Sequence, residues 1–116
     1  MNPRDTNWLW VDVMADDELP VHIGRTVRCG GLEIALFRLA SGKLHAVQNR
    51  CPHKAGVLAE GIVSGEYVFC PMHDRKIDLA SGEVQKPDTG CVRVYATKIE
   101  NGRIYIQVQE SAAKAG

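Results

Sequence analysis

The sequence has no surplus of charge of either sign. Fourteen lysines and arginines offset fourteen aspartates and glutamates over 116 residues, so the balance gives no reason to expect nucleic acid or an anionic membrane as partner. Long apolar runs are missing too, and the longest falls far short of the ~20 residues that cross a bilayer as a helix. The opening MNPRDTNWLW lacks a basic region followed by an apolar stretch and so predicts no secretory signal. Cysteine is scarce, with four in the chain. In a chain read as unexported, so few cysteines fit metal ligands or reduced thiols better than a disulfide framework. There is also no glycine-rich strand-to-helix turn, so no nicotinamide or flavin fingerprint is present. These absences predict a cytoplasmic protein with neither a membrane nor a nucleic-acid partner.

What is there reads as one globular unit of short β segments. Hydrophobic residues make up 45% of the chain and charged residues 24%, which supports one core in a chain too short for two. Trp8-Leu9-Trp10-Val11 has the character of a first strand, and residues 14–20 read as one helical turn or a loop with a solvated acidic face. Residues 26–29 and 33–38 flank Gly30-Gly31, a hairpin signal. Ser41-Gly42 then turns the chain into a strand over 43–47. Residues 76–79 and 83–85 form short strands around Ser81-Gly82. Two longer arms, 91–100 and 103–109, flank Asn101-Gly102, the pair a type I′ turn prefers. Ile104, Ile106 and Val108 alternate with polar neighbours, as a half-buried strand does. The fold class predicted is all-β, an antiparallel sandwich or barrel. It should occupy residues 7–110, with flexible ends at 1–6 and 111–116.

One stretch carries chemistry. Residues 51–73 hold Cys51-Pro52-His53 and Cys70-Pro71-Met72-His73, sixteen residues apart, and each motif offers one thiolate and one imidazole. Between them, residues 57–58 and 61–63, a Ser64-Gly65-Glu66 turn and Tyr67-Val68-Phe69 predict a β-hairpin. Antiparallel pairing brings the ends of a hairpin together, so the two motifs should lie side by side. Pro52 and Pro71 restrict their loops before metal arrives, and Gly56 and Gly61 are expected to permit turns that a side chain would obstruct. This donor set and spacing match a Rieske [2Fe-2S] centre, in which the cysteines hold one iron and the histidines the other. Zinc takes the same donors in a tetrahedron, although a Cys-x-His arm is unusual in structural zinc sites. Four unrelated residues, two of them buried thiols, would leave the two Cys-Pro steps and paired histidines unexplained. Cys51, His53, Cys70 and His73 are therefore the predicted cofactor-binding and metal ligands, and no catalytic residue is predicted.

With those residues in view, the chain from about Leu19 to Val108 resembles a Rieske-type domain, and more narrowly the small subunit of assimilatory NAD(P)H nitrite reductase. The carrying stretches are Ile34-Ala35-Leu36-Phe37-Arg38, Asn49-Arg50-Cys51-Pro52-His53-Lys54, Cys70-Pro71-Met72-His73, Lys76-Ile77-Asp78-Leu79 and Pro87-Asp88-Thr89-Gly90-Cys91-Val92. Some members of that small-subunit family lack the ligands, whereas this chain keeps all four. The resemblance implies a cluster-binding subdomain over about 50–75, projecting from one end of the β domain. It also implies a large partner subunit that carries flavin, a [4Fe-4S] cluster and sirohaem and reduces nitrite to ammonium. A chain of this size lacks room for sirohaem, so it would be a component that passes electrons or holds the large subunit in its working arrangement. A second possibility is a free-standing Rieske ferredoxin that feeds an aromatic-ring oxygenase, and a third is a non-redox interaction subunit stapled by metal.

The resemblance bears on potential as well. Two ferric irons, two sulfides, two thiolates and two neutral imidazoles sum to zero charge, and a neutral site takes an electron more readily than a four-thiolate one. High-potential Rieske proteins add a disulfide between the two ligand loops. The corresponding positions here are Gly56 and Met72, which cannot form it, and Asp74 adds a negative charge. A low-potential, ferredoxin-like centre is expected. Met72, Leu58 and the proline rings would form an apolar tip, with Arg50, Lys54, Arg75 and Lys76 as a polar rim or simply solvated. His22 and His45 are read as surface or strand-packing residues, Cys29 and Cys91 as inert buried thiols, and both tryptophans as packing.

Overall fold

Four consecutive apolar residues, Ile34, Ala35, Leu36 and Phe37, have no exposed surface, and they decide the architecture. They lie on β3 (Leu32–Arg38) of the computed structural model, which describes residues 8–51, 56–72 and 75–109. Successive side chains on a strand point to opposite faces, so a strand buried at every position needs a layer on each side. The remaining strands supply those layers: β1 (Trp8–Ala15), β2 (Arg25–Cys29), β4 (Leu44–Gln48), β5 (Ile62–Ser64), β6 (Tyr67–Phe69), β7 (Lys76–Asp78), β8 (Val94–Tyr95), β9 (Thr97–Glu100) and β10 (Arg103–Gln109). They form a middle sheet of order β2-β3-β4-β8, an outer sheet β1-β10-β9 and a small sheet β5-β6-β7. Every pairing between these strands is antiparallel, as the all-β reading expects.

Two cores separate the layers. Ile34, Leu36 and Ala46 meet Ile104, Ile106 and Val108 of β10, along with Leu19 and Cys29. Ala35, Phe37 and Val47 face the other way, onto Leu58, Val63, Val68, Ile77 and Leu79. The small sheet thus rests on the face of the middle sheet, which corrects the expectation that it projects from one end. The uninterrupted apolar run of β3 carried that information, because one covered face would have left alternate positions polar.

Local differences have local causes. The predicted arm 91–100 is broken at Ala96, with β8 paired to β4 (Ala46↔Tyr95) and β9 paired to β10 (Ile106↔Thr97). The chain crosses between sheets there, and Gln107 N–H donates to the Ala96 carbonyl at 3.0 Å. Leu58–Glu60 is a single 3-10 turn and not a strand, whereas the 3-10 turn at Asp16–Glu18 is the helical turn expected within 14–20. The first strand runs to Ala15 with a bulge between Asp12 and Met14. Asn101 and Gly102 have φ of 52° and 76°, both positive as a type I′ turn requires. The ends predicted to be flexible, 1–6 and 111–116, lie outside the described residues. Among the described residues no helix is long and apolar enough to cross a membrane.

Several side-chain expectations change. Both tryptophans are exposed on the outer sheet, and the Lys98 ammonium sits 4.6 Å from the Trp10 ring centre, where a cation–π contact stabilises an exposed ring. Cys29 is buried but Cys91 is exposed, since the inward position of that extended segment falls to Val92. His22 is on the surface. His45 packs within β4, and burial pushes its imidazole below the ordinary histidine range despite the Glu66 carboxylate 3.7 Å away.

Asn49 joins the layers. It is the buried polar residue of the described chain, with no exposed surface. Its amide NH2 donates to Thr26 Oγ1 at 3.0 Å and Glu33 Oε2 at 2.8 Å, and its Oδ1 accepts the Ala59 N–H at 2.9 Å. Its own carbonyl accepts the Leu58 N–H at 2.7 Å. One side chain thereby ties β2 and β3 to the turn that leads into the small sheet. Asn49→Leu is expected to destabilise the protein by about 2–5 kcal/mol, since it strands several buried polar groups at once. Urea denaturation measures this, and a change below about 0.5 kcal/mol, the range of an ordinary surface substitution, would show that the joint lies elsewhere.

Candidate metal centre

Two cysteines open two loops of the same span. β4 ends at Gln48, Asn49 and Arg50 follow, and Cys51 N–H donates to the Gly56 carbonyl at 2.9 Å. β6 ends at Phe69, and Cys70 N–H donates to the Arg75 carbonyl at 2.9 Å. In each case the cysteine bonds to the residue five positions on, and the next pair outward continues as β pairing. Arg50 bridges Val57 beyond the first loop, and Phe69 pairs with Lys76 beyond the second. Both loops are thus sealed at their necks by backbone hydrogen bonds.

The loops touch. A Cβ built on Gly56 would lie 2.8 Å from Cys70 Sγ and 2.7 Å from Met72 Cγ, closer than a side chain can come. Gly56 is therefore needed where a side chain would obstruct, as expected, and the obstruction is the facing loop. Gly61 is similar, with φ of −79° and a built Cβ 2.3 Å from the Phe69 carbonyl oxygen. Gly56 and Met72 are also the two places where high-potential relatives carry their bridging cysteines. Here they stand against each other, and neither is a cysteine that could bridge the loops.

Cys51 and Cys70 both belong to the core between the middle and small sheets, and neither has more than 3% of its surface exposed. Two thiols withdrawn from water on touching loops suit a soft metal centre that needs thiolate ligands and exclusion of solvent. The donor chemistry therefore fits a Rieske [2Fe-2S] group. The other two predicted ligands, His53 and His73, lie outside the described residues, as do Pro52, Lys54 and Asp74.

The surroundings of the loops were only partly foreseen. Met72 is exposed as expected, but Leu58 is wholly buried, because it fills the core beneath the first loop. Ile62, unremarked in the sequence, is 73% exposed, and its strand partner Phe69 precedes Cys70. Of the predicted polar rim, Arg50 and Lys76 face solvent, while the Arg75 side chain is only 22% exposed. Lys76 lies over the Tyr67 ring at 4.2 Å. Arg50 Nη2 is 3.3 Å from Glu33 Oε1. The Asn49 amide, helped by the Arg50 guanidinium, holds the Glu33 carboxyl below the usual glutamate range. Asn49 is the functional residue that motif reading missed. Its place between the end of β4 at Gln48 and Cys51 was its one signal.

Gly56→Val is expected to abolish most iron incorporation while leaving the β circular dichroism spectrum intact, because the clash falls on Cys70 Sγ and not on the sheets. Iron assay of the purified variant measures this, and full iron content would show slack between the loops.

The Rieske-like [2Fe-2S] domain model matches residues 9–107. The ferredoxin component of the naphthalene 1,2-dioxygenase/salicylate 5-hydroxylase systems of Ralstonia sp. is 31% identical over 101 residues, covering 86% of this chain and 96% of the relative. Among solved structures, a protein assigned as the NADH-dependent nitrite reductase small subunit of Mycobacterium tuberculosis superposes with a TM-score of 0.78. It is 30% identical and covers 89% of this chain and 96% of its own. The Sphingomonas yanoikuyae B1 ferredoxin, at 20% identity, shares the fold with a TM-score of 0.78, covering 86% of this chain and 99% of its own. With the matched model spanning both cysteine loops and all three sheets, the chain belongs to the Rieske-like [2Fe-2S] domain family and carries a Rieske-type cluster.

Proposed function

We propose that this electron-transfer protein is the Rieske small subunit of an assimilatory NAD(P)H nitrite reductase, with Cys51, His53, Cys70 and His73 as cluster ligands. The observation that carries the site is the contact of the two sealed loops at Gly56 and Cys70 Sγ. The choice of enzyme is supported by likeness to the nitrite reductase small subunit along nearly all of that chain and by the flanking stretches around both loops, including Pro87-Asp88-Thr89-Gly90-Cys91-Val92.

When bound, the cluster supplies a one-electron relay. The chain's own residues do the rest. Cys51 and Cys70 keep their sulfurs out of water, and Asn49 fixes the entry to the first loop. Met72 and Ile62, 54% and 73% exposed, give a large subunit an apolar contact beside the loops. Within this reading the domain fills residues 7–110, the ligand-bearing part spans about 50–75, and the complex works in the cytoplasm. The partner holds flavin, [4Fe-4S] and sirohaem, so nitrite binding and reduction lie outside this chain.

A second reading is favoured by the 31% identity to an oxygenase ferredoxin component. It makes the chain a free-standing donor to an aromatic-ring oxygenase. Reconstitution separates the two. Added to a sirohaem-containing large subunit, the protein should form a stable complex and accelerate NAD(P)H-dependent ammonium production from nitrite. Cys70→Ser should bind less iron and accelerate less. Reduction of an oxygenase component with no effect on the nitrite reaction would establish the ferredoxin reading instead.

A further inference from the structure

The second loop holds a positive charge in an unusual setting. Arg75 closes that loop through its carbonyl, which accepts the Cys70 N–H at 2.9 Å, so its backbone lies across the loop neck from Cys70. Its side chain turns inward and is 22% exposed. Nε and Nη1 have no contact with solvent and no hydrogen-bond partner among the described residues. Among the described residues, Asp88 is the carboxylate within ion-pair range, with Oδ1 3.5 Å from Nε. Asp88 belongs to the 85–90 segment, anchored by bonds from Asp88 N–H to the Gln85 carbonyl and from Gln85 N–H to the Lys76 carbonyl.

An arginine cannot shed its proton to escape such a site, and a buried charge short of partners is unfavourable. What relieves it is negative charge arriving nearby. A Rieske centre is neutral when oxidised and gains one negative charge when reduced, as the ligand count requires. The charge on the residue whose backbone closes the loop therefore acts unequally on the two redox states, and its buried Nε and Nη1 are poorly screened by water.

We propose that Arg75 sets the reduction potential of the centre by stabilising its reduced state, and that Asp88 opposes it. The inference rests on the cluster reading above. It adds two residues, neither of them a ligand, whose charges pull in opposite directions.

Redox titration of the iron-loaded protein, followed by EPR, tests it. Arg75→Gln should lower the midpoint, and a tenfold loss in the reduction equilibrium reads as a shift of about 59 mV for one electron. Arg75→Lys should lie between wild type and Arg75→Gln, since a buried ammonium, unlike the guanidinium, can lose its proton. Asp88→Asn should raise the midpoint. A purely structural role for the pair would move Arg75→Gln and Asp88→Asn the same way or leave both unchanged, and either result overturns the proposal. If Arg75→Gln fails to hold iron, the direction of Asp88→Asn decides alone. Absence of a Rieske signal in the wild-type protein would instead overturn the cluster reading.

Discussion

Burial of β3 on both faces is the constraint from which the rest follows. A strand with Ile34 and Leu36 on one side and Ala35 and Phe37 on the other cannot end a sandwich. It requires the β1-β10-β9 sheet against one face and the β5-β6-β7 sheet against the other. The first contact is an ordinary β sandwich. The second gives the cysteine loops a foundation, because the same core that buries Phe37 and Val47 also buries Cys51 and Cys70. The two cysteine thiols are part of the hydrophobic core, and holding them still is a consequence of packing.

Packing alone does not fix one layer on another, since apolar contact is non-directional. Asn49 supplies direction. Its amide reaches Thr26 and Glu33 on one side and Ala59 on the other, and Asn49 itself has no exposed surface. Below it, two cysteine N–H groups seal two loops of equal span, and Gly56 lets them meet. The sequence of constraints runs from a buried strand, through one buried amide, to a pair of loop necks. Each step narrows the position of the sulfurs further.

Much of this was legible in the residues. The hairpin between the two cysteine loops, the Gly30-Gly31 and Asn101-Gly102 turns and the all-β class follow from local rules. The break at Ala96 was not, because 91–100 has strand character throughout and only tertiary pairing divides it between two sheets. Leu58 was misplaced at the tip because a single 3-10 turn and a strand look alike in a short apolar run. Arg75 was read as rim because arginines are so often exposed. The inward turn of Arg75 depends on Asp88, which lies thirteen positions away along the chain. The exposure of Cys91 turned on strand phase, which a one-residue shift reverses.

The sealed loops hold a two-iron centre and not a structural ion. The most direct test is EPR of the anaerobically purified, dithionite-reduced protein, with iron and zinc counted in the same sample. A rhombic Rieske signal and about two irons per chain are expected. An EPR-silent protein from an iron-replete host, holding stoichiometric zinc and no iron, would contradict it.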